Sequence, residues 1–106
     1  MLYAKVIVGL PVKGPFDYSV PPSLYKKIKV GMRSWIEFRT KKMLGYVVRL
    51  TGKTTIRNIK PILELIDDAP LLDKNMLTLT EEMSKYYGCS WGGVIDSALP
   101  KPLRDG

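Results

Sequence analysis

The hydrophobic pattern changes period once, at Asp67-Asp68-Ala69-Pro70, and this limits the folds open to the chain. Before that point, apolar residues come in short runs rich in Val and Ile, broken every few positions by Pro or Gly. That is the pattern of strands and tight connections. After it, Leu72, Met76, Leu79, Met83 and Tyr86 or Tyr87 recur at helical spacing. Strands therefore come first and helix last.

Tyr3 to Leu10 reads as a first strand and Leu10 to Pro15 as a Pro- and Gly-containing loop. Phe16 to Val20 is a short second strand closed by Pro21-Pro22. Ser23 to Lys29 reads as a loop or one helical turn. Met32 to Phe38 is a third strand, and Arg39-Thr40-Lys41-Lys42 a polar hairpin connection. Met43 to Leu50 is a fourth strand, in which Gly45 marks a bulge or a sharp bend. Arg57 to Ile66 contains a fifth, confined to an edge or a bulge by Pro61. In the helix, Asp73 is the expected N-cap, Gly88 the stop, and Glu81 and Glu82 face water. Trp91 to Ala98 reads as a second short helix before Pro100, and residues 101–106 as the start of a linker. The fold class is mainly β with an appended α-helix: a small β-barrel-like domain of about five or six short strands followed by one or two helices, over residues 1–100.

At 106 residues the chain makes one modest core. It has one Cys and no His, which excludes an internal disulfide, a Cys/His zinc cluster and any His-assisted nucleophile. No apolar run approaches the ~20 residues of a membrane span, and no secretory signal is visible, so a cytoplasmic setting is expected. Charge is uneven. Residues 1–60 carry thirteen basic side chains and two acids, Asp17 and Glu37, for +11, whereas residues 61–106 carry four and eight, for −4. A basic β half points to a polyanion site, or to a solvated lysine-rich surface. Small barrels bind single-stranded nucleic acid through such grooves, although fold alone does not assign function.

Two motifs are set aside. Gly52-Lys53-Thr54 imitates the end of a phosphate-binding loop, but the required earlier Gly is Val47 and a strand-like segment follows. The pairs Asp67-Asp68 and Glu81-Glu82 point in different directions and make poor acid–base partners. Asp67, Asp68 and Asp73 are expected to complement the helix N-terminus, and Cys89 to be a small buried group. Phe16-Asp17-Tyr18 is more informative, because an acid of the basic half sits between two aromatics. An aromatic face stacks on a base, and a carboxylate accepts from base amino groups or a sugar hydroxyl. The alternative places Phe16 and Tyr18 in the core and Asp17 toward water.

Several elements stand in a familiar order: Leu10-Pro11, Phe16-Asp17-Tyr18 with Pro21, Val30-Gly31-Met32-Arg33 and Gly45-Tyr46-Val47-Val48. Ile59 to Asp67, Pro70-Leu71-Leu72, Tyr86-Tyr87, Gly93 and Ala98-Leu99-Pro100 complete it. In this the chain resembles, over nearly its full length, the N-terminal 3′-DNA-end-binding domain of the primosomal protein N′ (PriA) family of bacterial replication-restart helicases.

The resemblance implies a β-barrel-like module that binds the 3′ end of the nascent leading strand at stalled forks. It implies a terminal-nucleotide pocket at Phe16, Asp17 and Tyr18 with Lys60 contributing. Lys13, Lys41 and Lys42 are assigned to the DNA backbone. Where the family has Pro-Phe-Gly this chain has Glu37-Phe38-Arg39. Arg39 is then either a phosphate contact or a narrower pocket wall. The expected partners are DNA with a free 3′ end and forked DNA, with single-stranded-DNA-binding protein and other primosome proteins besides. No membrane partner, catalytic residue, metal or cofactor is expected in this domain. Zinc, ATP and Mg belong to the rest of the helicase, so this chain should hydrolyse no ATP. Two other readings stand beside this one: a single-strand-binding barrel indifferent to ends, and a protein-interaction module centred on the acidic helical half.

Overall fold

The computed structural model describes residues 1–104. Five strands, β1 (Tyr3–Val8), β2 (Phe16–Ser19), β3 (Arg33–Phe38), β4 (Lys41–Thr51) and β5 (Glu64–Leu65), precede α1 (Lys74–Tyr87), α2 (Trp91–Ala98) and α3 (Lys101–Arg104). The strands form one antiparallel sheet in the order β2-β1-β4-β3-β5. The sheet is open, but residues 60–66 reach from one edge to the other. The Ser19 amide donates to the Lys60 carbonyl and the Ile62 amide to the Ser19 carbonyl, while the amides of Leu63 and Ile66 donate to the carbonyls of Trp35 and Arg33.

Period-two alternation sends Ala4, Val6 and Val8 of β1 to the inner face, with Ile36, Phe38, Val47, Tyr18, Val20, Ile28 and Ile62. Full burial of such side chains is worth about 1.5–3 kcal/mol each, against strand propensities of about 1 kcal/mol or less. Burial therefore holds these short strands. A second cluster of Ile7, Tyr46, Leu72, Leu77 and Ile95 joins the outer face to the helices. The buried Tyr46 hydroxyl donates to Asp96 Oδ1 of α2 at 2.6 Å.

The strand and helix order agrees with the sequence reading, and several details differ. Pro22–Leu24 forms a 3₁₀ turn in the Ser23 to Lys29 region. The hairpin connection is only Arg39-Thr40, and Lys41 and Lys42 already belong to β4. Gly45 is not at the bulge. The register shifts three residues later, where Lys5 pairs with Arg49 and Val6 with Val47, leaving Val48 unmatched. Gly45 instead allows close packing, since a Cβ there would lie 2.4 Å from Val6 Cγ1.

The helix caps are as expected. Asp73 Oδ1 accepts from the Met76 amide at 2.7 Å, and Gly88 closes α1 in the left-handed conformation at φ 68°. The buried face differs. Leu77, Thr80 and Ser84 face the fold, while Leu79, Met83, Tyr86 and Tyr87 are exposed. Small side chains at 80 and 84 let α1 approach α2, and Trp91 Nε1 donates to Thr80 Oγ1 at 2.9 Å. Cys89 is exposed, because its amide is held by the Ser84 carbonyl just past the cap. Asp67 does not serve the helix terminus. Its carboxylate takes the Arg33 guanidinium through Nε and Nη2 and also accepts from the Arg33 amide at 2.8 Å. Residues 101–104 of the expected linker are helical, and the Leu103 carbonyl accepts from Arg33 Nη1 at 2.7 Å. Residues 105–106 of that linker lie outside the described residues.

Candidate nucleic-acid interface

The site forms at the outer edge of β2. Tyr3 to Val6 of β1 pair with Phe16 to Ser19, and just past the strand end the Val20 amide donates to the Leu2 carbonyl. Main-chain bonding alternates along an antiparallel strand, so Phe16, Tyr18 and Val20 bond inward to β1. Asp17 and Ser19 then direct their amide and carbonyl outward. Ser19 uses that edge to hold Lys60 and Ile62. Just before it, the edge at Asp17 faces a cleft of about 280 Å³ between β2, the β3–β4 turn and residues 56–60.

Aromatic rings make much of the cleft wall. Phe16 meets Phe38 edge-on with centroids 4.9 Å apart, and the Arg39 guanidinium lies 5.1 Å from the Phe38 centroid. Tyr18 is buried and its hydroxyl donates to the Glu37 carbonyl at 2.8 Å. Burial and the nearby Glu37 charge push its phenol above the usual range, so it stays neutral. Lys60 Nζ stands 3.5 Å from Glu37 Oε2, and both side chains are about half exposed, 46% and 45%. Exposed pairs of this kind hold weakly, so Lys60 can exchange Glu37 for a phosphate.

Arg39 has φ 51° and Thr40 φ 67°, a two-residue hairpin turn with both residues left-handed. Glycine is the easy residue at such a position. The Arg39 departure therefore bears first on the backbone of the turn, and its side chain is then laid along the cleft rim.

The expected residues Phe16, Asp17, Tyr18, Arg39 and Lys60 all line this one cleft. Asp17 reaches it differently from the sequence reading. Its side chain is 8% exposed and turned to the opposite face of β2. There Oδ1 accepts from Lys5 Nζ at 2.9 Å and Oδ2 from Thr54 Oγ1 at 2.7 Å. Burial acts to raise its pKa, but the bonds from Lys5 and Thr54 and the Lys5 charge outweigh it, so the carboxyl sits below its ordinary value. The carboxylate is thus neither free for a nucleotide nor solvated, and the main chain of Asp17 borders the cleft.

The three backbone lysines are dispersed. Lys41 stands opposite Phe38 and shares its face. Lys42 lies over the Trp35 ring at 5.0 Å, and Lys13 lines a separate groove against the end of α1. Sequence reasoning missed Pro15, Glu37, Phe38, Ile56, Asn58 and Ile59 as wall residues. Glu37 carried a signal as the other acid of the basic half, and Phe38 stands between it and Arg39 in the stretch that departs from the family pattern. Among the described residues no group of His, Cys, Asp and Glu could hold a metal ion, and no helix is long and apolar enough to cross a membrane.

A curled basic sheet whose edge strand borders a cleft with aromatic walls and cationic rims is the architecture of a small nucleic-acid-binding domain. A model of the 3′DNA-binding domain (3′BD) family matches residues 5–100, and the chain belongs to that family. It is similar to the replication restart protein PriA of Chlamydia pneumoniae, 34% identical over 99 residues, 93% of this chain and 13% of that protein. It is also similar to that of Haemophilus influenzae, 31% identical over 108 residues, 100% of this chain and 14% of the relative. The Bacillus subtilis protein is 32% identical over 109 residues, 98% of this chain and 14% of that protein. The chain thus spans 13–14% of the length of these relatives.

Proposed function

We propose that the domain recognises the 3′ end of a DNA strand, and serves replication restart by engaging the nascent leading strand at stalled forks. The observation that carries this reading is that one cleft gathers Phe16, the outward main chain of Asp17, Tyr18, Arg39 and Lys60. At about 280 Å³ it sits at the small end of ligand pockets, suited to a single nucleotide and not to a run of bases. The base stacks on Phe16, the Asp17 amide and carbonyl meet base or sugar edges, and Lys60 and Arg39 hold the adjoining phosphate. Main-chain groups and a ring face read no particular base, so the end is recognised in preference to the sequence. The domain does this without metal, nucleotide cofactor or ATP hydrolysis. In a longer protein it would work beside helicase lobes on forked DNA in the cytoplasm, with single-stranded-DNA-binding protein and other primosome proteins as partners. Protein interaction through the helical half is a second reading, favoured by the exposed Leu79, Met83, Tyr86 and Tyr87.

The test is fluorescence anisotropy with short oligonucleotides that differ only in a free or phosphorylated 3′ end. The free end should bind more tightly, and Phe16→Ala should weaken it by about 1–3 kcal/mol. Equal affinity for free and blocked ends would overturn end recognition and leave an end-indifferent single-strand binder.

A further inference from the structure

The Gly52-Lys53-Thr54 turn is not a phosphate loop, yet the fold gives it a place in the same surface. It walls a second cleft of about 530 Å³ with Tyr3, Lys5, Asp17 and Thr55. Lys5 and Asp17 pair across β1 and β2, on the face opposite the buried Ala4 and Val6. The second cleft therefore backs onto the first across a single edge strand, and Asp17 borders both. The connection from β4 toward β5 walls the two in succession, the second by residues 52–55 and the first by Ile56 and residues 58–60. The junction is pinned. Thr54 Oγ1 donates to Asp17 Oδ2 and accepts from the Ile56 amide at 3.1 Å.

The chemistry of the second cleft suits a phosphodiester backbone. It offers two lysines, the Thr55 hydroxyl and the Tyr3 ring, while the Thr54 hydroxyl is spent on Asp17 and Lys5 balances the charge of that one acid. Lys53 is exposed and joins no salt bridge among the described residues. Neutral hydroxyls beside lysines hold phosphate oxygens without reading bases.

We propose that this second cleft takes the phosphates of the same DNA strand, immediately upstream of the nucleotide held in the first. The inference rests on the end-binding reading above, and it makes Lys53 and Thr55 contacts to a DNA segment longer than a dinucleotide. The strand turns around the β2 edge, following the connection that walls both clefts.

The experiment compares a dinucleotide and a pentanucleotide, both with free 3′ hydroxyls, on the wild-type domain and on Lys53→Gln. In the wild type the pentanucleotide should bind more tightly, with a steeper salt dependence. Lys53→Gln should leave the dinucleotide unchanged and lower the pentanucleotide salt slope by about 0.7, so that the affinity lost between 50 and 200 mM salt shrinks about threefold. Lys53→Arg should keep the wild-type behaviour. Equal weakening of both lengths would reduce Lys53 to a diffuse charge and overturn the proposal, as would no change for either. A loss seen only with a duplex-bearing fork would overturn it too, in favour of a duplex contact. Failure of the end-binding reading is separate, because it appears as equal wild-type affinity for dinucleotides with free and with phosphorylated 3′ ends.

Discussion

Replacing Asp17 by Ala removes the acceptor of two hydrogen bonds, from Lys5 Nζ at 2.9 Å and Thr54 Oγ1 at 2.7 Å. A charge-assisted bond is worth about 1.5–3 kcal/mol and a neutral one about 0.5–1.5 kcal/mol. The Lys5 side chain is 31% exposed, so solvent screens the pair and water takes over the freed donors. The expected loss is therefore about 2 kcal/mol, well short of the full sum. For a domain of this size that lowers the melting temperature by roughly 8–16 °C. Asp17→Asn keeps an acceptor for Thr54 and should lose about half as much. The sign with pH follows from the lowered carboxyl pKa. Its contribution is complete above the unfolded-state value near 3.9 and disappears as pH falls through the folded value. Thermal melts of wild type and Asp17→Ala should therefore converge in acid. Binding gives a second readout. Because the carboxylate faces away from the first cleft, Asp17→Ala should change affinity for free and 3′-phosphorylated ends by the same factor. A variant as stable as wild type at neutral pH would refute the ion pair. Weakening confined to the free end would refute its orientation and restore a direct carboxylate contact.

Three further outcomes are expected. Arg39→Gly relieves a left-handed residue, about 1–2 kcal/mol, against about 0.5–1 kcal/mol of added chain entropy, so melting should hold or rise slightly. It should also remove about one phosphate contact, weakening all DNA sequences alike, and unchanged binding would place Arg39 away from the strand. Asp67→Asn strands Arg33, whose side chain is 11% exposed, and should lower stability by about 3–5 kcal/mol in denaturant titration. Burial tends to raise the Asp67 carboxyl, but bonds and charge from Arg33 hold it below its ordinary value, so this contribution too is lost on acidification. The +11 charge on residues 1–60 should make oligonucleotide affinity fall with salt, at a slope of a few phosphates, and a flat dependence would remove the electrostatic part of the account.

The strands were legible because β1 alternates cleanly into the core and Pro and Gly punctuate its neighbours. The α1 caps were legible because Asp73 and Gly88 act within a few residues of chain. The buried face of α1 was not. Hydrophobic spacing selected Leu79, Met83 and Tyr86, but the approach of α2 favoured the small Thr80 and Ser84. The site divides in the same way. Phe16, Asp17 and Tyr18 are contiguous and could be singled out together. Alternation already puts Asp17 opposite its neighbours, but the partners awaiting it, Lys5 and Thr54, lie 12 and 37 residues away in sequence. Ile56, Asn58 and Ile59 carry no local mark, because only the curl of the sheet brings them to the edge of β2.

The most direct test of the central claim is an amide chemical-shift titration of the domain with a dinucleotide bearing a free 3′ hydroxyl. The largest shifts should fall on Phe16, Asp17, Tyr18, Arg39 and residues 56–60, and a 3′-phosphorylated dinucleotide should produce much smaller ones at equal concentration. Shifts spread over the lysine-rich surface or centred on α1, with the β2 edge silent, would contradict it.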